Sequence, residues 1–304
     1  MELNRDKFKI VGIDKSKSES IERPNLTYWQ DAWMRLKKNK VAMFSLVLLV
    51  LIVLMCAIQP LIAGDSYKIQ NIYNMNQGPS SEHIFGTDAL GRDIFDRLWV
   101  GGRVSLIIAF VGTVVECVFG TIYGGISGYF GGKVDNIMMR IVEILNSIPY
   151  LIVVILISVR LGNGIVPLLI ALVLTGWTGI ARMVRGQVMQ LKESEYVMAA
   201  KTLGASPMRI IFKHMLPNTL GIIIVYITFD IPSYIFAEAF LSFIGLGIQP
   251  PQTSWGAMAS EGQQMMLFYP YQVIFPALAI ALTMLAFNLF GDGLRDALDP
   301  KLRK

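Results

Sequence analysis

Two cysteines and two histidines are all that 304 residues contain of the side chains that most often hold metals or form disulfides. Cys56 and Cys117 each fall inside an apolar block, where a thiol acts as a small hydrophobe, so neither a disulfide nor a metal site is expected. His83 and His214 lie far apart and, by the distribution of basic residues, on opposite sides of a membrane, so they cannot share one ion. No Gly-x-x-x-x-Gly-Lys-Ser/Thr phosphate loop occurs. The nearest string, Gly131-Gly132-Lys133-Val134, lacks the glycine spacing and the hydroxyl residue, so the chain is not expected to hydrolyse ATP by itself. Gly-x-Ser-x-Gly, His-Glu-x-x-His and paired-aspartate motifs are missing from the apolar blocks, which weighs against an intramembrane hydrolase. Charged residues make up only 16%.

Apolar side chains are plentiful instead, at 54% with a mean hydropathy of +0.52. Lipid is the solvent that such a composition fits. Six blocks, 41–63, 104–128, 135–159, 165–184, 218–243 and 271–291, are each long enough as helices to cross a hydrocarbon core of about 30 Å. They lack the alternation of barrel strands, and a backbone in lipid must satisfy its own hydrogen bonds, so the expected fold is all-α and polytopic with six transmembrane helices. The block 41–63 follows about 40 polar residues and is 23 residues long, which reads as a retained first span rather than a cleaved signal peptide.

Lysine and arginine set the orientation. Residues 1–40, 129–140, 181–217 and the tail from 291 carry 22 of them, while 64–103, 160–164 and 244–270 carry 5. The positive-inside rule puts the first set, with both termini, in the cytoplasm, and the second set outside. The net charge of +5 is therefore topological; the basic residues form no aromatic-interleaved stripe, and nucleic acid is not an expected partner.

The first 30 residues, with their Ser-Lys-Ser-Glu-Ser run, read as a solvated arm. From Tyr28 to Lys40, Trp29, Trp33 and Leu36 recur at helical spacing beside Arg35, Lys37, Lys38 and Lys40, the pattern of an amphipathic helix on the inner membrane surface. In the outer loop Thr87 and Asp88 are candidate caps, and Leu90, Ile94 and Leu98 fall on one face, so a short interfacial helix is expected before the second span. Its charges read as a local salt-bridged structure of Asp88, Asp93 and Asp96 with Arg92, Arg97 and Arg103, or else as an anion site. Gly120, Gly124, Gly125 and Gly128, with Gly176 and Gly179, argue for closely packed helices.

The loop 186–217 carries the most information. Residues 193–203 are mostly good helix formers, and Gly204 stands where a helix ends through a left-handed residue. Ser206-Pro207 reads as an N-cap with proline at the first helical position, opening a second helix that Leu216-Pro217-Asn218 redirects into the next span. Two short helices with little bulk at Ala199 and Ala200 make a compact knob. It fits a socket on another protein with acidic residues for Lys201, Arg209 and Lys213; it equally fits a loop folded for its own stability.

The spacing Ala199-Ala200, Gly204, Leu216-Pro217 resembles the EAA loop of permease subunits of bacterial ABC importers. Phe85-Gly86-Thr87-Asp88 with Gly91-Arg92-Asp93 and Arg97, the stretch Tyr196-Val197 through Leu203-Gly204-Ala205-Ser206, and Leu241 through Gly247 with Pro251 and Ser254-Trp255-Gly256 are similar to the "C" permease of the dipeptide and oligopeptide branch. The likeness covers about residue 28 to the end. It departs at Met198, where the general pattern has glutamate, and at His214, where it has isoleucine; Asp96, often serine in the family, is a smaller change. Glu195, one turn earlier, is the candidate stand-in for that glutamate.

The resemblance implies a type I importer permease translocating di- or oligopeptides, with nickel, glutathione and opine systems as alternative substrates of the same branch. It implies a second related permease, two ATP-binding subunits that hold ATP and Mg, and an extracytoplasmic substrate-binding protein; no cofactor is expected on this chain. Glu195, Tyr196, Ala199, Ala200, Leu203, Gly204, Leu216 and Pro217 are the implied ATPase-coupling residues. Ionisable residues inside spans are functional candidates by default. Of Glu116, Glu143, Asp230 and Glu238, the last is expected to line a pore or an interface, with Asp230 two turns away on the same face. Glu116 and Glu143 read as interhelical hydrogen-bonding groups. Gly245 and Gly247, near Pro250 and Pro251, mark a kinked outer loop at the pore mouth. A proton-coupled secondary transporter is the distant alternative; no inverted repeat is visible.

Overall fold

The computed structural model describes residues 27–299; the arm before Thr27 and the tail beyond Asp299 lie outside the described residues. Helix α1, Tyr28–Lys38, opens with a reciprocal capping box between Thr27 and Gln30. Ala32 and Leu36 face inward, whereas Trp29 and Trp33 face outward, so the apolar stripe expected of Trp29, Trp33 and Leu36 is divided between the bundle and the surface. Asn39 is extended, which breaks the axis, and its Oδ1 accepts the amides of Val41 and Ala42 at 3.1 Å to start α2, Lys40–Ala63.

Four further stretches are long and apolar enough to cross a membrane: α3 (Ile94–Phe130), the pair α6 (Ile165–Gly176) and α7 (Thr178–Leu191), the run Pro207–Phe243, and α12 (Tyr271–Leu298). The block 135–159 is not one continuous helix. Helix α4, Gly132–Ser147, and α5, Tyr150–Leu161, meet at 79°. The cause is local: proline disfavours the α region in the residue before it, and Ile148 stands at φ −86°, ψ 121° ahead of Pro149.

Glycines let α3 and α7 meet at backbone distance. A Cβ on Gly124 would overlap the Ala181 carbonyl oxygen, and one on Gly128 would lie 2.7 Å from the Arg185 carbonyl oxygen, so the helices interlock as small residues allow in lipid. Asp135 of α4 ties the end of this seam. It accepts from Arg185 Nε and Nη2 at 2.5 Å and from the Ser127 hydroxyl at 2.6 Å.

The bundle has two distinct ends. At one, the Tyr28 hydroxyl donates to Leu298 O at 3.0 Å, and Tyr28, Trp29, Pro217 and Leu298 line one cavity. Both termini of the described chain and the loop before Pro217 therefore lie together at this knob end. At the loop end, residues 64–93 pack against α11, Trp255–Gln263, and the start of α12.

The loop end corrects three expectations. No separate interfacial helix precedes the second span: Thr87 bridges to Asp93, Gly91 takes φ +72°, and Asp93 caps a single helix that begins at Ile94. Asp88 is not a helix cap but the centre of this turn, its Oδ1 accepting the amides of Leu90 at 2.8 Å and Arg92 at 3.0 Å. The salt-bridged structure forms as expected only around Asp88, with Glu261 added from α11 and Asp93, Asp96 and Arg103 bonded elsewhere. Asp88 Oδ2 pairs with Arg92 at 2.7 Å and with Arg97, and both arginines also reach Glu261 of α11 at 2.8 Å. Asp93 instead meets His83 at 2.7 Å, Asp96 takes the Gln59 amide at 2.9 Å, and Arg103 donates to Ala57 O at 2.9 Å.

Candidate functional site: the knob between two spans

Helix α8, Glu195–Thr202, ends in a Schellman turn. The Ala205 amide reaches Ala200 O at 3.1 Å and the Gly204 amide reaches Lys201 O at 3.0 Å, with Gly204 at φ +79°. That backbone conformation strains any L side chain, so glycine at 204 is what lets the chain reverse here. Ser206 then accepts the Arg209 amide at 3.4 Å, and Pro207 occupies the first turn of α9, Pro207–Arg209.

Contrary to expectation, the chain is not redirected at Leu216-Pro217-Asn218. A π-helical turn, Ile210–Met215, carries α9 straight into α10, Leu216–Phe243, as one run. The Leu216 amide bonds back to Ile211 O. The wider turn sits directly before Pro217, whose missing N–H and ring disturb the ordinary ladder.

The knob is held from inside by apolar side chains. Val197, Ile210, Ile211, Met215 and Leu216 pack on Val184 and Val188 of α7, with Ala200 and Ala205 at the margin. Its outer surface is apolar too: Leu203 is 87% exposed and Met198 52%, with Tyr196, Met208 and Phe212 also exposed. Glu195, Lys201, Arg209 and Lys213 are exposed on the same segment. Large apolar side chains left in solvent among charges are the composition of a contact surface.

The predicted residues divide accordingly. Glu195, Tyr196, Ala199, Leu203 and Gly204 are exposed and Ala200 is half-buried. Leu216 lies in the apolar cluster beneath, and Pro217 is exposed around the corner beside Tyr28 and Trp29. Sequence reasoning missed Met208 and Phe212. Their signal was an i, i+4 apolar pair interleaved with Arg209 and Lys213.

The path residues are not brought together. Glu238 has no exposed surface and accepts the Ser105 and Ser242 hydroxyls at 2.6 and 2.7 Å. It stands inside the wall between α3 and α10, not on a pore or an outer face of this chain, because serines from both helices satisfy it where it is. Gly247 packs on Ser242, while Gly245, at φ +84°, is exposed. Asp230 is half-buried and meets a different stretch of α3. Glu143 is exposed and paired with Arg140 at 2.8 Å, whereas Glu116 makes the expected interhelical bond, from the Tyr234 hydroxyl at 2.7 Å.

Long apolar helices locked by glycines, with a two-helix knob between two of them, define a polytopic α-helical membrane protein. Residues 120–304 match the family of binding-protein-dependent transport system inner membrane components, and the chain belongs to it. Residues 27–79 match the N-terminal transmembrane domain of oligopeptide transport permease C. The chain is 50% identical to the dipeptide transport system permease protein of Bacillus subtilis (strain 168), over 98% of this chain and 94% of that one. It is 48% identical to the oligopeptide transport system permease protein of the same organism, over 99% of each, and 44% identical to that of Escherichia coli (strain K12), over 94% and 95%. Its backbone resembles a chain of the inward-facing MetNI methionine ABC transporter, with a TM-score of 0.54 at 21% identity, covering 66% of this chain and 97% of that one.

Proposed function

We propose that the chain is the membrane permease subunit of an ATP-driven ABC importer for di- or oligopeptides. The observation that carries the reading is the knob: a chain without a phosphate loop presents Leu203, Met198, Met208 and Phe212 to solvent on a rigid two-helix element. Its relatives at 48 to 50% identity are dipeptide and oligopeptide transport permeases.

In this reading the knob, residues 195–215, docks into an ATP-binding subunit, with Leu203 and its apolar neighbours filling a socket and Glu195, Lys201, Arg209 and Lys213 pairing at its rim. Two ATP-binding subunits hold ATP and Mg, a second related permease completes the pore, and an extracytoplasmic binding protein delivers the peptide. The knob end, with both termini, faces the cytoplasm of a cell membrane, which accords with 22 of 27 lysines and arginines on that side. ATP-driven closure of the partners moves α8 and α9. Because α9 runs through the π turn into α10, and the knob rests on α7, that movement enters the spans as rigid-body displacement.

The test is reconstitution. The chain copurified with its ATPases and second permease, placed in liposomes with its binding protein, is expected to accumulate labelled trialanine only with ATP. Peptide accumulation by the chain with no ATPase present would overturn the reading, and so would uptake of nickel or glutathione to the exclusion of peptide.

A further inference from the structure

Between the knob and the ends of two spans lies an open groove of about 670 Å³, within the range of about 300–1,000 Å³ over which proteins enclose a ligand group. One wall comes from the spans: Tyr129 and Phe130 at the end of α3, and Met189 near the end of α7. The other wall is the knob itself, with Val197 and Met198 of α8 and Ile210 at the start of the π turn. The membrane-length stretches Ile94–Phe130 and Ile165–Lys192 end at this groove. It therefore lies at the edge of the bilayer and not among the spans.

The apolar lining is flanked by charge that the chain leaves unmatched. Lys192 and Lys201 line the groove, and among the described residues no carboxylate lies within ion-pair distance of either. The Lys192 ammonium stands 5.9 Å from the centre of the Tyr129 ring, a weak attraction at an exposed site. Glu193, exposed and in no ion pair, is the one carboxylate on the lining, so the groove keeps a net positive charge. It is also continuous with the exposed face of the knob. Met198 and Lys201 belong to α8, the helix that leads directly to Leu203, so a partner seated over Leu203 lies against the groove.

We infer that this groove receives a turn of the ATP-binding subunit, one that lays an aromatic or long aliphatic side chain between Met189 and Met198 and brings a carboxylate to Lys192 and Lys201. The inference rests on the docking of the knob proposed for the chain, and adds that the two proteins interlock: the knob enters the partner, and the partner enters the groove behind the knob. Methionine side chains adapt to the shape of what they cover, and the two free cations fix the register of an acidic segment. A group seated here touches both walls. The partner's movement then acts on the ends of α3 and α7 directly as well as through the knob.

The test uses the complete transporter, purified with its partners, with a diazirine amino acid of methionine's size placed at Met189 or, as a reference, at Leu203. After irradiation both probes are expected to be joined to the ATP-binding subunit, the Met189 probe on a segment that holds an aspartate or glutamate, as mapped by mass spectrometry. A Leu203 probe joined to that subunit while the Met189 probe is found only on lipid, on the second permease or unreacted overturns this inference alone. A Leu203 probe that never reaches the ATP-binding subunit overturns knob docking and this inference together. Lys192→Glu combined with Lys201→Glu is expected to lower recovery of the ATPases about tenfold, whereas Lys192→Arg combined with Lys201→Arg is expected to retain most of it. Recovery by the charge-reversed variant equal to wild type overturns the groove as a receptor, and so does a charge-preserving variant as impaired as the charge-reversed one.

Discussion

At the loop end of the bundle the chain satisfies itself, and at the knob end it does not. Arg97, with its side chain 3% exposed, is enclosed by Asp88, Glu261 and Thr253, drawn from a turn, a short helix and the segment before it. Every charge in that box has its counter-charge on the same chain. The knob has an equally ordered backbone, fixed by a Schellman turn and an N-cap, yet five large apolar side chains, Tyr196, Met198, Leu203, Met208 and Phe212, stand exposed on it. Cooperative local structure thus serves opposite ends: in one place it seals an interior, in the other it holds large apolar side chains out in solvent.

Three substitutions sharpen or break this contrast. The largest effect is expected from Arg97→Ala. Removing the shared cation leaves Asp88 and Glu261 facing each other with Arg92 alone between them, at a cost of about 3–5 kcal/mol, read as a lowered midpoint of thermal unfolding of the purified chain. An unchanged midpoint would mean that the box is not a stabilising element. Leu203→Glu probes the other end. With its side chain in solvent, the fold should be unaffected within about 0.5 kcal/mol, whereas ATPase copurification should weaken by about a hundredfold, the size of a hot-spot loss. Equal recovery of the ATPases would detach the knob from docking. The smallest effect belongs to Ser206→Ala, which removes the cap of α9 and should cost about 1 kcal/mol. Hydrogen exchange should localise that loss to 206–212; a loss spread through the spans would show that the knob is no separate unit.

Much of this was legible in the sequence. Apolar blocks of span length announced the helices, and Gly204 with Ser206-Pro207 announced the reversal of the knob, because both depend on neighbours a few residues away. The break at Ile148-Pro149 was equally local, but the apolar block ran through it and hid it. The hidden features are long-range. Glu261 joins Arg92 and Arg97 from more than 160 residues away, and nothing in the run of charges from Asp88 to Arg103 reveals that only one of its aspartates serves the arginines. Glu238 looked free because its two serines come from α3 and from the next turn of its own helix.

The seam between α3 and α7 has a mechanical consequence. Where a single methyl on Gly124 would strike a backbone carbonyl, neither helix can slide or roll past the other without losing contact altogether. The two therefore behave as one beam. One part of that beam carries the valines on which the knob sits, and α3, 37 residues and about 55 Å long, ends in the turn anchored by Arg97. A tilt imposed at the knob is not dissipated within the seam; it arrives at the far side of the membrane at close to full amplitude, where it meets the charged box that must either travel with it or open.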